Sequence, residues 1–196
     1  MPDASPLVPL KAALRSLCEW FDAEGAKWLV IGGVAASLIG RPRTTRDVDA
    51  VVWLEDSRLE GFFRAAGNHG FEPRVTDALA FARQSRVVLV THTDSAIDAD
   101  IALGALPFEK DAIDRARNAV VGDLVIPLPR PEDLIIMKAV AHRPQDTVDV
   151  AAVLEAHPEI DRQYVCGIVR EFAEALEIPE LLTDLEVILS RVPPGD

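Results

Sequence analysis

Residues 28–54 read WLVIGGVAASLIGRPRTTRDVDAVVWL, and the rest of the chain can be ordered around them. The apolar run 28–31 has the make-up of a buried strand and meets the pair Gly32-Gly33. Small residues at 34–39 continue as a helix that Gly40 closes. A basic, hydroxyl-rich loop, Arg41-Pro42-Arg43-Thr44-Thr45-Arg46, then leads to Asp47-Val48-Asp49 at the head of a second apolar strand ending at Leu54. Paired glycines let the backbone approach an anion with no Cβ in the way, and the helix start behind them aims unpaired N–H groups at it. Asp47 and Asp49 lie two apart on a strand and so share a face. Two carboxylates that close repel each other unless a cation lies between them. An all-oxygen donor set of this kind suits Mg²⁺, so the stretch as a whole fits a metal-bound triphosphate.

Gly32-Gly33, a gap and then Asp47-Val48-Asp49 resemble the signature of the minimal nucleotidyltransferases. The fuller string, with Gly40, Arg43, Thr45 and the Asp pair, resembles the AbiEii-type, toxin-like branch. The resemblance implies an α+β fold, with a small mixed β-sheet flanked by helices and a C-terminal helical appendage. It also implies transfer of a nucleoside monophosphate from an NTP to a hydroxyl, with Mg²⁺ or Mn²⁺ as cofactor. Asp47 and Asp49 would be metal ligands, and Gly32, Gly33, Arg43, Thr45 and Arg46 would surround the nucleotide.

The family's last carboxylate comes from a neighbouring strand. Residues 86–92 (RVVLVTH) read as a strand, Thr93-Asp94-Ser95 as its turn, and 97–103 (IDADIAL) as its partner. Asp98 and Asp100 on that partner share one face. The next segment, Gly104-Ala105-Leu106-Pro107-Phe108-Glu109, resembles the one that trails the family's third aspartate, which favours Asp100 over Asp98 as catalytic residue and metal ligand. Both can equally be read as acids that solvate a sheet edge. Further on, Pro131-Glu132-Asp133-Leu134-Ile135-Ile136-Met137-Lys138-Ala139, with Arg143 and Asp146-x-x-Asp149, resembles the family's downstream segment. On that resemblance Lys138 and Asp149 face the nucleotide. The other reading of Asp146 and Asp149 is that they favour a helix N-terminus through its dipole.

Elsewhere the pattern is that of core-building elements. Leu7, Leu10, Leu14, Leu17 and Phe21 make one apolar stripe over residues 7–23, and Gly25 ends that helix. A helix is expected from Asp56 or Ser57 to about 66, an extended piece at 70–74 and a short helix near 77–84. Pro107 suits the first turn of a helix through about residue 118. Two short strands are expected around Gly122-Asp123. The proline-rich run 127–131 then separates a nucleotidyltransferase core, residues 1–128, from a helical subdomain, 129–196. Helices in the latter are expected at 132–141, 145–156, 161–176 and 179–189.

At 196 residues the chain is long enough for a proper core, and 49% hydrophobic with 27% charged residues describes a soluble globule. Neither a membrane span nor a signal peptide is legible, so a cytoplasmic location is expected. Cys18 and Cys166 have no partner spacing and read as inert buried thiols. The net charge of −12 is uneven: residues 151–196 hold ten acids against three bases. Such a chain lacks the basic face of a protein that wraps a long nucleic acid. The toxin-like resemblance favours an RNA 3′ end such as that of tRNA as acceptor, and a cognate antitoxin as partner. The acidic surface favours a protein hydroxyl or a small molecule such as an antibiotic. A third reading is a non-catalytic protein that binds a nucleotide or a partner.

Overall fold

The computed structural model describes residues 7–192. By its contacts the chain divides into two compact units: residues up to Val34 with Thr45–Leu128, and Ala35–Thr44 with the residues from Pro129 on. The architecture is α+β, with a mixed five-stranded sheet, flanking helices and a C-terminal helical region.

In the first unit, β1 (Lys27–Ile31), β2 (Asp47–Trp53), β3 (Phe71–Pro73), β4 (Val87–His92) and β5 (Ile97–Leu103) form one sheet in the order β1-β2-β5-β4-β3. Only β2 and β5 run parallel; the other neighbours are antiparallel. One face carries Trp28, Val30, Val48, Ala50, Val52, Val88, Val90, Ala99, Ile101 and Leu103, all buried. Helix α1 (Leu7–Ala23) turns its own apolar stripe inward, with Leu10, Leu14, Leu17 and Phe21 buried. Trp20 stacks on Phe62 of α3 (Leu59–Ala65) with ring centroids 4.5 Å apart, and its indole N–H donates to the Phe62 carbonyl at 3.0 Å. Phe21 meets Trp28 edge-on at 5.0 Å. These rings join α1 and α3 over the sheet.

The first unit also holds α4 (Ala78–Ser85), α5 (Pro107–Asp114) and a hairpin of β6 (Arg117–Val121) and β7 (Leu124–Leu128). The expected helix over 107–118 therefore stops four residues early. The reason is long-range pairing: β6 is in register with β7 from Val121↔Leu124 out to Arg117↔Leu128, which claims residues 117–119 for a strand. Gly122, at φ +67°, makes the turn. Cys18 is buried, and burial pushes its thiol up to about 11. Cys166, expected to be buried, is only half-buried.

The second unit packs α6 (Pro131–Ala141), α7 (Pro144–Ala156), α8 (Arg162–Leu176) and α9 (Glu180–Arg191) against one another. Its interior includes Leu134, Ile135, Val150, Leu154, Val165, Val169, Leu181 and Leu185. The segment 35–44, at the end of α2 (Gly32–Ile39), belongs here. His157 bonds the Ile39 carbonyl at 2.9 Å, Arg41 pairs with Glu155, and a Cβ on Gly40 would lie 3.1 Å from the backbone of Val153. Among the described residues no helix is long and apolar enough to cross a membrane.

The aromatic cluster is the main buried mass between α1, α3 and the sheet. Phe62→Ala should cost about 3–5 kcal/mol by opening a cavity there. Trp20→Phe should cost about 1–3 kcal/mol, because it strands the Phe62 carbonyl. Urea unfolding reads both, and a Phe62→Ala variant as stable as the parent would show that the cluster does not hold the unit together.

Candidate active site

In β2 the two-residue period sends Val48 and Ala50 into the core, so Asp47 and Asp49 take the opposite face. In β5, Ala99 and Ile101 point inward and leave Asp98 and Asp100 on that same opposite face. The parallel register pairs Asp47 with Asp98 and Asp49 with Asp100. Adjacent strands lie about 4.8 Å apart, so four carboxylates stand in two neighbouring pairs. Asp47 is exposed, and the other three are partly covered.

The surroundings of these acids come from four segments of the first unit. Thr45 donates its hydroxyl to Asp47 Oδ1 at 2.8 Å. Gly32, buried at the end of β1 with φ +62°, comes so near Asp49 that a Cβ there would fall 1.8 Å from Asp49 Oδ2. Gly33 behind it is buried as well. Asp98 accepts from Thr91 Oγ1 at 2.6 Å and from Arg74 Nη1 at 3.0 Å. The same guanidinium bonds Asp100 through Nη2. Arg46 is exposed.

The donors available to a cation are all carboxylate oxygens, which match a hard divalent ion. Among the described residues no three His, Cys, Asp or Glu side chains are gathered tightly enough to hold an ion as they stand. Arg74 supplies the positive charge on β5 instead, bonded to Asp98 and Asp100. The set therefore fits a divalent ion by its donor chemistry and its shared face.

The second unit holds the remaining residues singled out from the sequence, in an ionic network built on the buried Lys138, Asp146 and Asp149. Lys138 on α6 is 5% exposed and pairs with Asp146 at 2.8 Å and Asp149 at 2.9 Å, both from α7. Arg43 grips Asp149 with two parallel bonds, at 2.8 and 2.9 Å. Arg143 donates to Asp146 from both its backbone and its guanidinium. Burial alone would raise the pKa of either aspartate. Bonds from Arg143 and Lys138 at Asp146, and from Arg43 and Lys138 at Asp149, outweigh it and hold both below the ordinary carboxylate value. The three-residue spacing of the two acids on α7 thus faces both towards one ammonium. Arg74 and Thr91 escaped the sequence reading. Neither belongs to a local motif, and only the pairing of β3, β4 and β5 brings them to the acids.

The geometry can be tested at two points. Gly32→Ala places a methyl group against Asp49 at a left-handed backbone position, which costs roughly 1–2 kcal/mol in backbone energy alone. Gly61→Ala, in open space on α3, should instead stabilise by about 0.5–1 kcal/mol. Thermal unfolding compares them, and equal behaviour would mean that Gly32 is not required. Lys138→Met should cost about 3–5 kcal/mol by leaving buried carboxylates short of a partner. Because both aspartates have depressed folded pKa values, their contribution is full above the unfolded value of about 3.9 and is lost as pH falls through the folded values. The gap between parent and variant should therefore be widest near neutrality and close below pH ~4. A gap independent of pH would show that the loss is one of packing.

Comparison with known proteins agrees with this architecture. The family described as the nucleotidyl transferase AbiEii toxin of a Type IV TA system matches residues 15–191. A search of curated proteins finds no match. Among solved structures, antibiotic-resistance factor ANT(2'')-Ia, determined in solution, shares 13% identity at a TM-score of 0.59, over 87% of this chain and 95% of that one. The lincosamide antibiotic adenylyltransferase LnuA, lincomycin-bound, shares 15% identity at 0.52, over 73% of this chain and 95% of that one. An antigenic nucleotidyltransferase-like protein from Paracoccidioides brasiliensis shares 13% identity at 0.50, over 89% and 91%. At these identities the structures speak for the fold, and the family match spans nearly the whole chain: this protein belongs to the AbiEii nucleotidyl transferase toxin family, whose members are typically metal-dependent.

Proposed function

We propose that this chain transfers a nucleoside monophosphate from an NTP to the 3′-terminal hydroxyl of an RNA, with Mg²⁺ or Mn²⁺ as cofactor. The observation that carries the reading is the register of β2 on β5, which sets Asp49 beside Asp100 on the face where Gly32 clears a space. Membership of a toxin family supports a cellular RNA as acceptor and an antitoxin as genetic partner.

Asp47, Asp49 and Asp100 are the residues that would hold the metal. A divalent cation bound there stabilises negative charge on the attacking and leaving oxygens. Thr45 keeps the Asp47 carboxylate oriented towards the shared face. Arg46, exposed at the head of β2, is available to the phosphates. Asp100 takes the proton from the acceptor hydroxyl, whose oxygen then bonds to the α-phosphorus. The bond from that phosphorus to the bridging oxygen breaks, and pyrophosphate leaves with the electron pair. Asp98 is bonded by both Thr91 and Arg74, which suits a supporting acid; among the described residues Asp100 is bonded by Arg74 alone and is the easier one to release.

The similarity in fold to a lincosamide adenylyltransferase motivates a second acceptor class, a small hydroxylated antibiotic. The purified protein should be incubated with each labelled NTP and, in separate arms, with total RNA, a lincosamide, an aminoglycoside and lysate protein. Label on RNA that a 3′-terminal block removes is the expected result. Label on an antibiotic or protein alone would move the acceptor, and no label in any arm would overturn the enzyme reading.

Asp49→Asn and Asp100→Asn should each lower the rate by about a thousandfold or more, the size of several kcal/mol of lost charge stabilisation. Asp98→Asn should retain most activity. Metal-free stability of Asp49→Asn should stay within about 1 kcal/mol of the parent or rise, because like charges on one face have been reduced. A reversed ranking of Asp98 and Asp100 would exchange their roles.

A further inference from the structure

Arg74 lies one residue beyond β3, and its backbone N–H donates to the Leu89 carbonyl at 3.1 Å. Leu89 is the β4 residue that faces Asp100 across the β4–β5 pair. This anchor holds the guanidinium in reach of β5, where it bonds Asp98 and Asp100 at once. The Arg74 side chain is 27% exposed, so its charge is only partly screened. Asp98 has a second bond, from Thr91 across the same strand pair. Asp100 has no second bond of that kind among those described.

We infer that Arg74 is a positioning residue that holds Asp100 until a divalent cation takes it, and so competes with that cation. The inference rests on the metal reading above. A guanidinium and a metal cannot use the same carboxylate lone pairs, and each repels the other at close range. Arginine stays charged at every working pH, so deprotonation gives the metal no way in. The competition is resolved by movement: Asp98, held by Thr91, keeps one arm of Arg74 while Asp100 leaves the other. In the metal-free protein the same contact offsets repulsion among Asp47, Asp49, Asp98 and Asp100.

The test is Mn²⁺ binding without nucleotide, monitored by electron paramagnetic resonance, on the parent, Arg74→Gln, Arg74→Lys and the control Arg64→Gln. Arg64 pairs with Glu60 on α3. Arg74→Gln should bind Mn²⁺ about three- to tenfold more tightly than the parent, the size of one or two partly exposed ion pairs removed from competition. Arg74→Lys, which keeps the charge on one prong, should fall between them, and Arg64→Gln should match the parent. Metal-free melting of Arg74→Gln should fall while its gain on adding Mn²⁺ grows, which a purely structural arginine would not produce. Equal or weaker Mn²⁺ binding by folded Arg74→Gln, or Arg74→Lys binding less tightly than the parent, overturns the inference alone. A parent that binds no Mn²⁺, with or without NTP, overturns the metal reading and this inference with it.

Discussion

The register of β2 against β5 is the constraint on which the rest of the first unit depends. Both strands alternate apolar and acidic residues at their N-terminal ends, and both bury the apolar set beneath α1 and α3. A slip of one residue in either strand would turn aspartates into the core and valines or alanines out of it. Core burial therefore pins the chemistry. With Val48, Ala50, Ala99 and Ile101 inward, Asp47, Asp49, Asp98 and Asp100 have no other side to occupy.

That arrangement carries an electrostatic cost, and the protein offsets it with local partners. Thr45 holds Asp47, Thr91 holds Asp98, and Arg74 spans Asp98 and Asp100. Gly32 removes the one steric obstacle beside Asp49. Acids concentrated on one face of the sheet are the kind of donor set that suits a nucleotidyltransferase.

The second unit treats charge in the opposite way. Here Lys138, Asp146 and Asp149 are buried, and the more exposed Arg43 and Arg143 complete the pairing of the two carboxylates. Lys138 and the two aspartates depend on one another, since a buried ion with a missing partner is far more costly than an exposed one. The network also ties the loop bearing Arg43 to α7, alongside the contacts of Gly40, Arg41 and His157. The segment 35–44 thus packs with helices a hundred residues further along the chain.

The sequence by itself determined everything that a local period dictates. The stripe of α1, the alternation in β2 and β5 and the proline start of α5 are short-range patterns, and each is where the sequence places it, while α2 begins at Gly32, two residues earlier than expected. The same period puts Asp47 on a face with Asp49, and Asp98 with Asp100. Pairing across long separations was decided only by the tertiary structure. It shortened the helix expected through residue 118, because β7 offered residues 117–119 a ladder. It set the two acidic pairs side by side, brought Arg74 to β5 through β4, and surrounded Lys138 with carboxylates. A lysine on an amphipathic helix looks the same in sequence whether it faces a ligand or two aspartates. The difference lies in which helix packs on it, and that is set by burial of the apolar residues around it.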